Sequence, residues 1–330
     1  MKTVLIVSYS RDKTAGLLIQ RLREVNQPVQ LIDLGMFPDK TTASIEFSTE
    51  VSVKFCQCGV NFTGTDIKSI WWRRPRGKTR SDANNLVYEY VTLESEVFIN
   101  SLFCLLGPAV KWVSSPENTR LANRKPVQLK VAQCVGFQIP KTLITNDPDK
   151  VTRFFKANPY MPLIMKPVGS SFVRLADPLA SSQDSNLAIY TKLIDRSLIL
   201  KNIQKVKNCP VIFQEAVMKE FDVRITVVGD KVFAVKITHS KDCGLVDGNL
   251  DWRHHKLDRR YEPHQLPYDL QIKCVELVNQ LGLSFGAIDM CFSKEKGYMF
   301  LEINPQGQWV PSEVMAGHPI SHALAELLTT

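Results

Sequence analysis

The stretch Gly286-Ala-Ile-Asp-Met-Cys-Phe292, followed after a short charged turn by Tyr298-Met-Phe-Leu-Glu-Ile-Asn-Pro305, decides how this chain is read. Its two apolar segments have the pattern of a β-hairpin, yet Asp289, Glu302 and Asn304 interrupt them. Successive strand residues point to opposite faces, so Glu302 and Asn304 share a face while Ile303 takes the other. A two-residue turn at Glu295-Lys296 then places Asp289 across from Glu302. Two carboxylates and an amide, with no soft ligand, suit a hard cation such as Mg²⁺, which proteins hold with one or two carboxylates plus substrate phosphates. Glu302 alone reads as a solvated carboxylate on an edge strand. Apolar flanks on both faces, as in a buried sheet, and the sharp Asn-Pro-Gln-Gly turn favour the metal reading.

Composition sets the bounds around this patch. The 330 residues suggest about two or three domains. Apolar residues at 44% and charged residues at 22% describe an ordinary globular chain. No apolar run approaches the ~18 residues of a membrane span. The opening Met-Lys-Thr-Val-Leu-Ile-Val-Ser reads as a first buried strand, too short in apolar length for a signal peptide. Cysteines such as Cys104, Cys134, Cys274 and Cys291 sit in apolar segments, and Cys56-Gln-Cys58 has no matching pair for zinc. Together these point to a reducing cytoplasm. The net charge of +8 favours acidic partners: ATP, nucleic acid or an acidic peptide. The lack of a lysine-arginine run or recognition motif argues against nucleic acid.

Along the chain, residues 1–115 alternate strand and helix: a strand at Val4–Ser8, a helix at Thr14–Val25 and a strand at Val29–Leu34. A hairpin pattern at Ser44–Asn61, a strand at Ile70-Trp71-Trp72 and a helix over Asp82–Leu106 follow. No G-x-G-x-x-G occurs, so a dinucleotide site there is not expected. Residues 116–210 form a central segment with helices at Pro126–Val135 and Asp149–Ala157, a strand ending at Lys166-Pro, and a polar region at Asp177–Asn186 that reads as a mobile loop. Residues 211–330 begin with the strand Val211–Glu215. A hairpin turning at Gly229-Asp230 and the helix Leu270–Leu281 lead to the metal hairpin.

Arg124-Lys125-Pro, Ile164-Met-Lys166-Pro, Phe213-Gln-Glu215, Phe221-Asp-Val-Arg224, Val235-Lys236, Asp251-Trp-Arg253, Asp289 and Glu302-Ile-Asn304 fall in one order. This order resembles the ATP-grasp superfamily of carboxylate-amine ligases, over nearly the whole chain. Within it, the chain looks most similar to the RimK-like branch, which adds glutamate to a ribosomal protein, and to the maturases of microviridin-type ribosomal peptides (graspetides). Trp71-Trp-Arg-Arg-Pro75, Phe213-Gln-Glu-Ala216, Phe221-Asp-Val-Arg-Ile-Thr-Val-Val-Gly229 and Leu301-Glu-Ile-Asn-Pro-Gln-Gly-Gln-Trp309 carry that finer likeness. The resemblance implies an α/β ATP-grasp fold with α+β elements, preceded by a Rossmann-like pre-ATP-grasp domain. It divides the chain into 1–115, a central domain 116–210 and a C-terminal ATP-grasp domain 211–330 with the metal site.

The resemblance also implies roles. Lys125 and Lys166 would neutralise ATP phosphates, although either alone reads as a surface lysine. Gln214, Glu215, Ala216 and Val217 would run past the adenine, with Glu215 facing its amine, and Asp222 would meet a ribose hydroxyl. Glu215 reads equally as an exposed strand-end carboxylate. Arg224, Lys236 and Arg253 would stabilise the transferring phosphoryl group, the alternative being weak surface ion pairs. Asp289, Glu302 and Asn304 would hold Mg²⁺. The loop Gly169-Ser-Ser-Phe-Val-Arg174 has one glycine where many members have several, and His254-His255 have no assigned role. The implied reaction phosphorylates Asp or Glu side chains of an acidic precursor peptide, leader plus core. Ser/Thr hydroxyls or Lys amines then close macrocyclic esters or amides. The leader would dock near Ile189–Val206, where Leu193, Leu198, Leu200 and Ile203 alternate with basic residues, or else that segment is an ordinary amphipathic helix. A homodimer is implied as well. Two rivals remain: a ligase adding free amino acids to a carboxylate, and a non-catalytic ATP-binding regulator.

Overall fold

A computed structural model describes residues 1–77, 86–106, 110–169, 172–174, 186–188, 191–239 and 259–330. The N-terminal layer is a parallel sheet of β1 (Thr3–Val7), β2 (Val29–Ile32), β6 (Ile67–Trp72) and β7 (Lys111–Val113), in the order β2-β1-β6-β7. Val4, Leu5, Ile6 and Val7 are all 0% exposed, the continuous apolar run that a central parallel strand needs because both its faces are covered. Helix α1 (Lys13–Glu24) covers one face, and α2 (Leu86–Cys104) covers the other. The expected hairpin at Ser44–Asn61 is a three-stranded antiparallel sheet of β3 (Thr41–Phe47), β4 (Val51–Gln57) and β5 (Val60–Thr63). Cys58 and Gly59, both at positive φ, make the extra turn.

Helices α3 (Pro116–Ala122), α4 (Lys125–Val135) and α5 (Pro148–Ala157) follow. A four-stranded sheet runs β12 (Lys192–Leu193), β9 (Leu163–Pro167), β13 (Val211–Glu215), β8 (Thr142–Thr145), packed on α5 through Val151, Phe155, Leu163 and Phe213. A short pair, β10 (Phe172–Arg174) with β11 (Asn186–Ala188), lies between β9 and β12 in sequence. Residues 177–185 of the polar region, and Ser170 and Ser171 of the loop Gly169–Arg174, lie outside the described residues. Helix α6 (Arg196–Lys201) leaves Leu198 and Leu200 exposed, while Ile199 and Ile203 pack against the α5 cluster.

The five-stranded sheet has the order β16 (Arg259–Pro263), β15 (Lys231–His239), β14 (Phe221–Val228), β17 (Phe285–Ser293), β18 (Gly297–Asn304). One face rests on α4 and α7 (Tyr268–Gln280), with Val223, Ile225, Ile288, Met290, Phe300 and Ile303 in a single cluster. The other face divides in two. At one end Val228 and Phe285 join Trp309, α8 (Ile320–Thr329) and the N-terminal Val4, Ile6 and Trp71 in one core. The C-terminal helix is therefore built into the N-terminal layer, and Ser69 Oγ donates to Leu328 O at 2.7 Å. The other end of that face is polar and carries the site.

Candidate active site

Asp289 pairs with Glu302 and Ala287 with Asn304, so the three oxygen donors do share a face. The route differs from the expected one. The turn holds three residues, Lys294 to Lys296, closed by Ser293 opposite Gly297, and Gly297 has φ +70°. The left-handed conformation at the first residue after the turn is one that Gly297 adopts at little cost. Continued unbroken, that register would set Leu301 across from Asp289 and turn Glu302 to the core face, because a one-residue slip flips every side chain. A β-bulge corrects it: Met290 pairs with Phe300 but Asp289 with Glu302, leaving Leu301 as the extra residue.

Strand β14 brings Arg224 opposite Asp289 and Asp222 opposite Cys291. Arg224 Nη1 donates to Asp289 Oδ1 at 2.8 Å, and Arg224 Nη2 to Gln308 O at 3.2 Å. Asn304 Oδ1 accepts from Gln306 N at 2.9 Å, which fixes the amide at the start of the turn. Gly307 lies flat on the sheet there. A Cβ on it would stand 2.2 Å from Ala287 Cβ and 2.6 Å from Arg224 Nη2. Asp222 is buried and chelated by Lys219 Nζ at 2.8 and 2.6 Å.

One residue with no signal in the sequence holds the two oxygen donors of β18 in place. Gln128, buried on α4, donates to Ile303 O at 2.8 Å and accepts from Ile303 N at 3.1 Å, and it also donates to Ala122 O at 2.6 Å. It thus caps the outer edge of β18 as a neighbouring strand would, at the residue between Glu302 and Asn304. A lone helical glutamine carries no motif, so only the structure reveals it.

The four-stranded sheet supplies the facing groups. Lys166 Nζ donates to Gln214 Oε1 at 2.7 Å, and Lys125 Nζ to Pro167 O at 2.9 Å, so both lysines gather at the end of β9. Glu215 is bonded by Lys296 from the hairpin tip and by Lys141 N at 3.4 Å. Ala216 N donates to Pro162 O at 2.8 Å. Cys291 lies between the sheets. Burial first, then Asp222, pushes its thiol up to about 12, while Lys166, Lys219 and Glu215 also act on it.

Two expected site residues do not join this group. Lys236 pairs with Val223, so its side chain emerges on the face opposite Arg224 and Asp289. There its Nζ lies 4.7 Å from the centroid of the Phe221 ring. The cause is strand alternation: Val235, not Lys236, stands across from Arg224. Arg253, with His254 and His255, lies outside the described residues.

The donor set fits a hard divalent ion. Asp289, Glu302 and Asn304 offer only oxygens, on adjacent strands, beside two lysines suited to phosphate. Among the described residues, no group of three or more His, Cys, Asp or Glu forms a competing metal site. The N-terminal layer reaches the same place through Arg73. This fully buried side chain donates to the carbonyls of Gln306 and of Gly307 (2.8 Å) and to Gln308 Oε1 (2.8 Å), and its Nε lies 3.5 Å from Asp12. Burial, then the neighbouring Arg74, lowers Arg73 to about 10, with Asp12 opposing.

Comparison with known proteins agrees with this geometry. The RimK-like ATP-grasp domain matches residues 122–328. No curated protein matches the chain. Among solved structures the chain is similar to the macrocyclase MdnC bound with precursor peptide MdnA, from Microcystis aeruginosa MRC, at 27% identity and TM-score 0.82 over 99% of both chains. It is similar in fold to the Chryseobacterium gregarium RiPP-associated ATP-grasp ligase in complex with ADP and a leader and core peptide. Identity there is 23% and TM-score 0.84, over 100% of this chain and 97% of that one. The ATP-grasp ligase PsnB complexed with minimal precursor, Mg and ADP shares the fold at 21% identity and TM-score 0.72, over 99% of this chain and 96% of that one. With the domain match spanning more than half its length, the chain belongs to the RimK-like ATP-grasp family of ATP-dependent ligases.

Proposed function

We propose that this ligase closes macrocyclic rings in an acidic, ribosomally made precursor peptide of microviridin (graspetide) type. The observation that carries the reading is the likeness to MdnC over 99% of both chains at 27% identity. In this reading ATP lies between the four- and five-stranded sheets. Lys125 and Lys166 meet its phosphates as point charges. The strand end Gln214–Val217 borders the adenine; Ala216 N–H is already committed to Pro162, so Val217 is the backbone donor. Asp222 receives a ribose hydroxyl. Asp289, Glu302 and Asn304 would hold Mg²⁺, which would supply positive charge against the phosphates.

An Asp or Glu side chain of the peptide attacks the γ-phosphate, giving an acyl phosphate and ADP. A Ser/Thr hydroxyl or Lys amine of the same peptide then attacks the acyl carbon. The C–O bond to phosphate breaks, the nucleophile's proton passes to the departing phosphate, and an ester or amide remains. Arg224 stabilises the charge that develops on the phosphoryl group, with Arg253 as the second cation of this reading. Lys236 has no part in it. The leader docks on the segment 189–206, where Leu198 and Leu200 present apolar surface. The enzyme acts in the cytoplasm as a homodimer, without nucleic acid or membrane. Among the described residues, no helix is long and apolar enough to cross a membrane.

The test searches the DNA beside this chain's gene for a small reading frame encoding a peptide rich in Thr, Ser or Lys and in Glu or Asp, and uses that peptide as substrate. Incubated with ATP and Mg²⁺, it loses one water mass per ring in mass spectrometry. Absence of any loss, with ADP formed only when a free amino acid is added, would overturn the reading in favour of an amino-acid ligase.

A further inference from the structure

Arg74 and Arg76, just past the carboxyl end of β6, have no role in the site above. In the order β2-β1-β6-β7 the chain winds to either side of β1, and the switch point between β1 and β6 is where open α/β sheets bind ligands. The usual anion position, at the start of α1, is filled by the protein itself. Asp12 accepts from Thr14 N at 3.0 Å and from Ser8 Oγ at 2.8 Å, and Arg73 faces it. The next arginine is spent differently. Arg74 uses its backbone N–H on Val7 O and its Nε on Gln306 O at 3.1 Å. Its terminal nitrogens make no hydrogen bond, and no carboxylate pairs with it, among the described residues. Exposed Arg76 lies with its guanidinium carbon 3.6 Å from the centroid of the Tyr9 ring, just past the carboxyl end of β1. Burial lowers Arg74, Asp12 and Tyr9 oppose this, and Arg224 and Arg76 lower it further, so several cations crowd around the Asn304–Gln308 turn.

We propose that Arg74, with Arg76 at the rim, is the subsite that grips the peptide carboxylate about to be activated. A guanidinium presents two parallel N–H donors that match a carboxylate, and a half-buried cation without an ion pair gains most from such a partner. Gln306 O ties Arg74 to the turn that opens with the metal donor Asn304, and Gln308 O ties Arg224 to the same turn. A carboxylate on Arg74 is thereby delivered beside the phosphoryl-transfer groups. This rests on the peptide-ligase reading above.

Arg74→Ala, Arg74→Lys and Arg76→Ala are assayed with the gene-neighbouring acidic peptide, with a version whose ring-forming Glu or Asp is amidated, and with AMPPNP by calorimetry. Arg74→Ala should raise the peptide KM by about ten- to a hundredfold, the worth of a charged hydrogen-bonded pair, with AMPPNP affinity unchanged. Arg74→Lys should recover part of the loss. Wild type should bind the acidic peptide more tightly than the amidated one, and Arg74→Ala should not distinguish them. A folded Arg74→Ala with the wild-type KM overturns the inference. So does an equal loss of AMPPNP affinity, which would make Arg74 only a brace for the turn. If Arg74→Ala does not fold, Arg74→Lys and exposed Arg76→Ala decide, and wild-type KM values in both overturn it. If wild type itself modifies no peptide, the ligase reading has failed, and the subsite falls with it before any variant is compared.

Discussion

Arg224 stands 2.8 Å from Asp289 across adjacent strands, and both side chains are only 8% exposed. The site thus holds an internal counter-charge for one of its two acids. Removing one member of a buried pair strands the other, at a cost of about 3–5 kcal/mol. Arg224→Met should therefore lower the melting temperature markedly. Added Mg²⁺ should restore part of it by supplying the missing positive charge, as melting curves with and without the ion will show. An unchanged melting temperature would mean the pair carries no such weight.

The same pairing sets which substitution tests the metal. Asp289→Ala would strand Arg224, whereas Asp289→Asn keeps an acceptor for it. Asp289→Asn and Glu302→Gln should each cut turnover by more than about a hundredfold while leaving the fold intact, because binding charge rather than packing is lost. Turnover and circular dichroism on the same samples separate the two effects.

Gln128→Ala leaves Ile303 N–H, Ile303 C=O and Ala122 C=O without their partner. Buried groups so stranded cost about 1–3 kcal/mol each. Loss of stability should come with weaker Mg²⁺ binding in calorimetry, since the backbone freed lies between Glu302 and Asn304. Full Mg²⁺ affinity in a destabilised variant would confine Gln128 to packing.

His264 donates to or accepts from Tyr298 OH at 2.8 Å, and burial, then Lys236, lowers its pKa below the ordinary 6.5. The unfolded chain therefore binds the proton more readily than the folded one. Stability from the neutral ring is complete above the ordinary value and falls as pH drops from there through the lowered one. Melting temperatures between pH 7 and pH 5 should decline less steeply for His264→Gln than for wild type.

Burial pushes Cys274 and Cys291 up to about 12, so neither forms thiolate near neutrality. Iodoacetamide at pH 8 should label exposed Cys58, Cys134 and Cys209 in the native protein and spare Cys274 and Cys291 until denaturant is added. Peptide mapping by mass spectrometry reads the difference.

The fold was legible where pattern and physics coincide. The run Val4–Val7 marks a doubly covered strand, and Gly229-Asp230 marks the turn between β14 and β15, where Val228 pairs with Lys231. The pairing of Asp289 with Glu302 was legible only in its outcome, since an unmarked bulge at Leu301 offsets the longer turn. Lys236 was misjudged although its face was readable. A two-residue turn at Gly229-Asp230 sets it across from Val223, and counting along the strand would have separated it from Arg224. Gln128 and Arg74 were beyond reach, because each works through long-range contacts to backbone atoms some 170 to 230 positions away in the chain.

The offset at Leu301 has a bearing on how this hairpin tolerates change. Because Leu301 sits between the tip and the acids, and Gln128 clamps the strand just beyond it, the outer loop and the reactive half are mechanically decoupled. Of the tip residues, Lys294 and Lys296 are held by Glu220 and Glu215, so only Glu295 is free to drift in composition while Glu302 keeps its aim. The segment between Leu301 and Pro305 is where a single inserted or deleted residue would silence the enzyme.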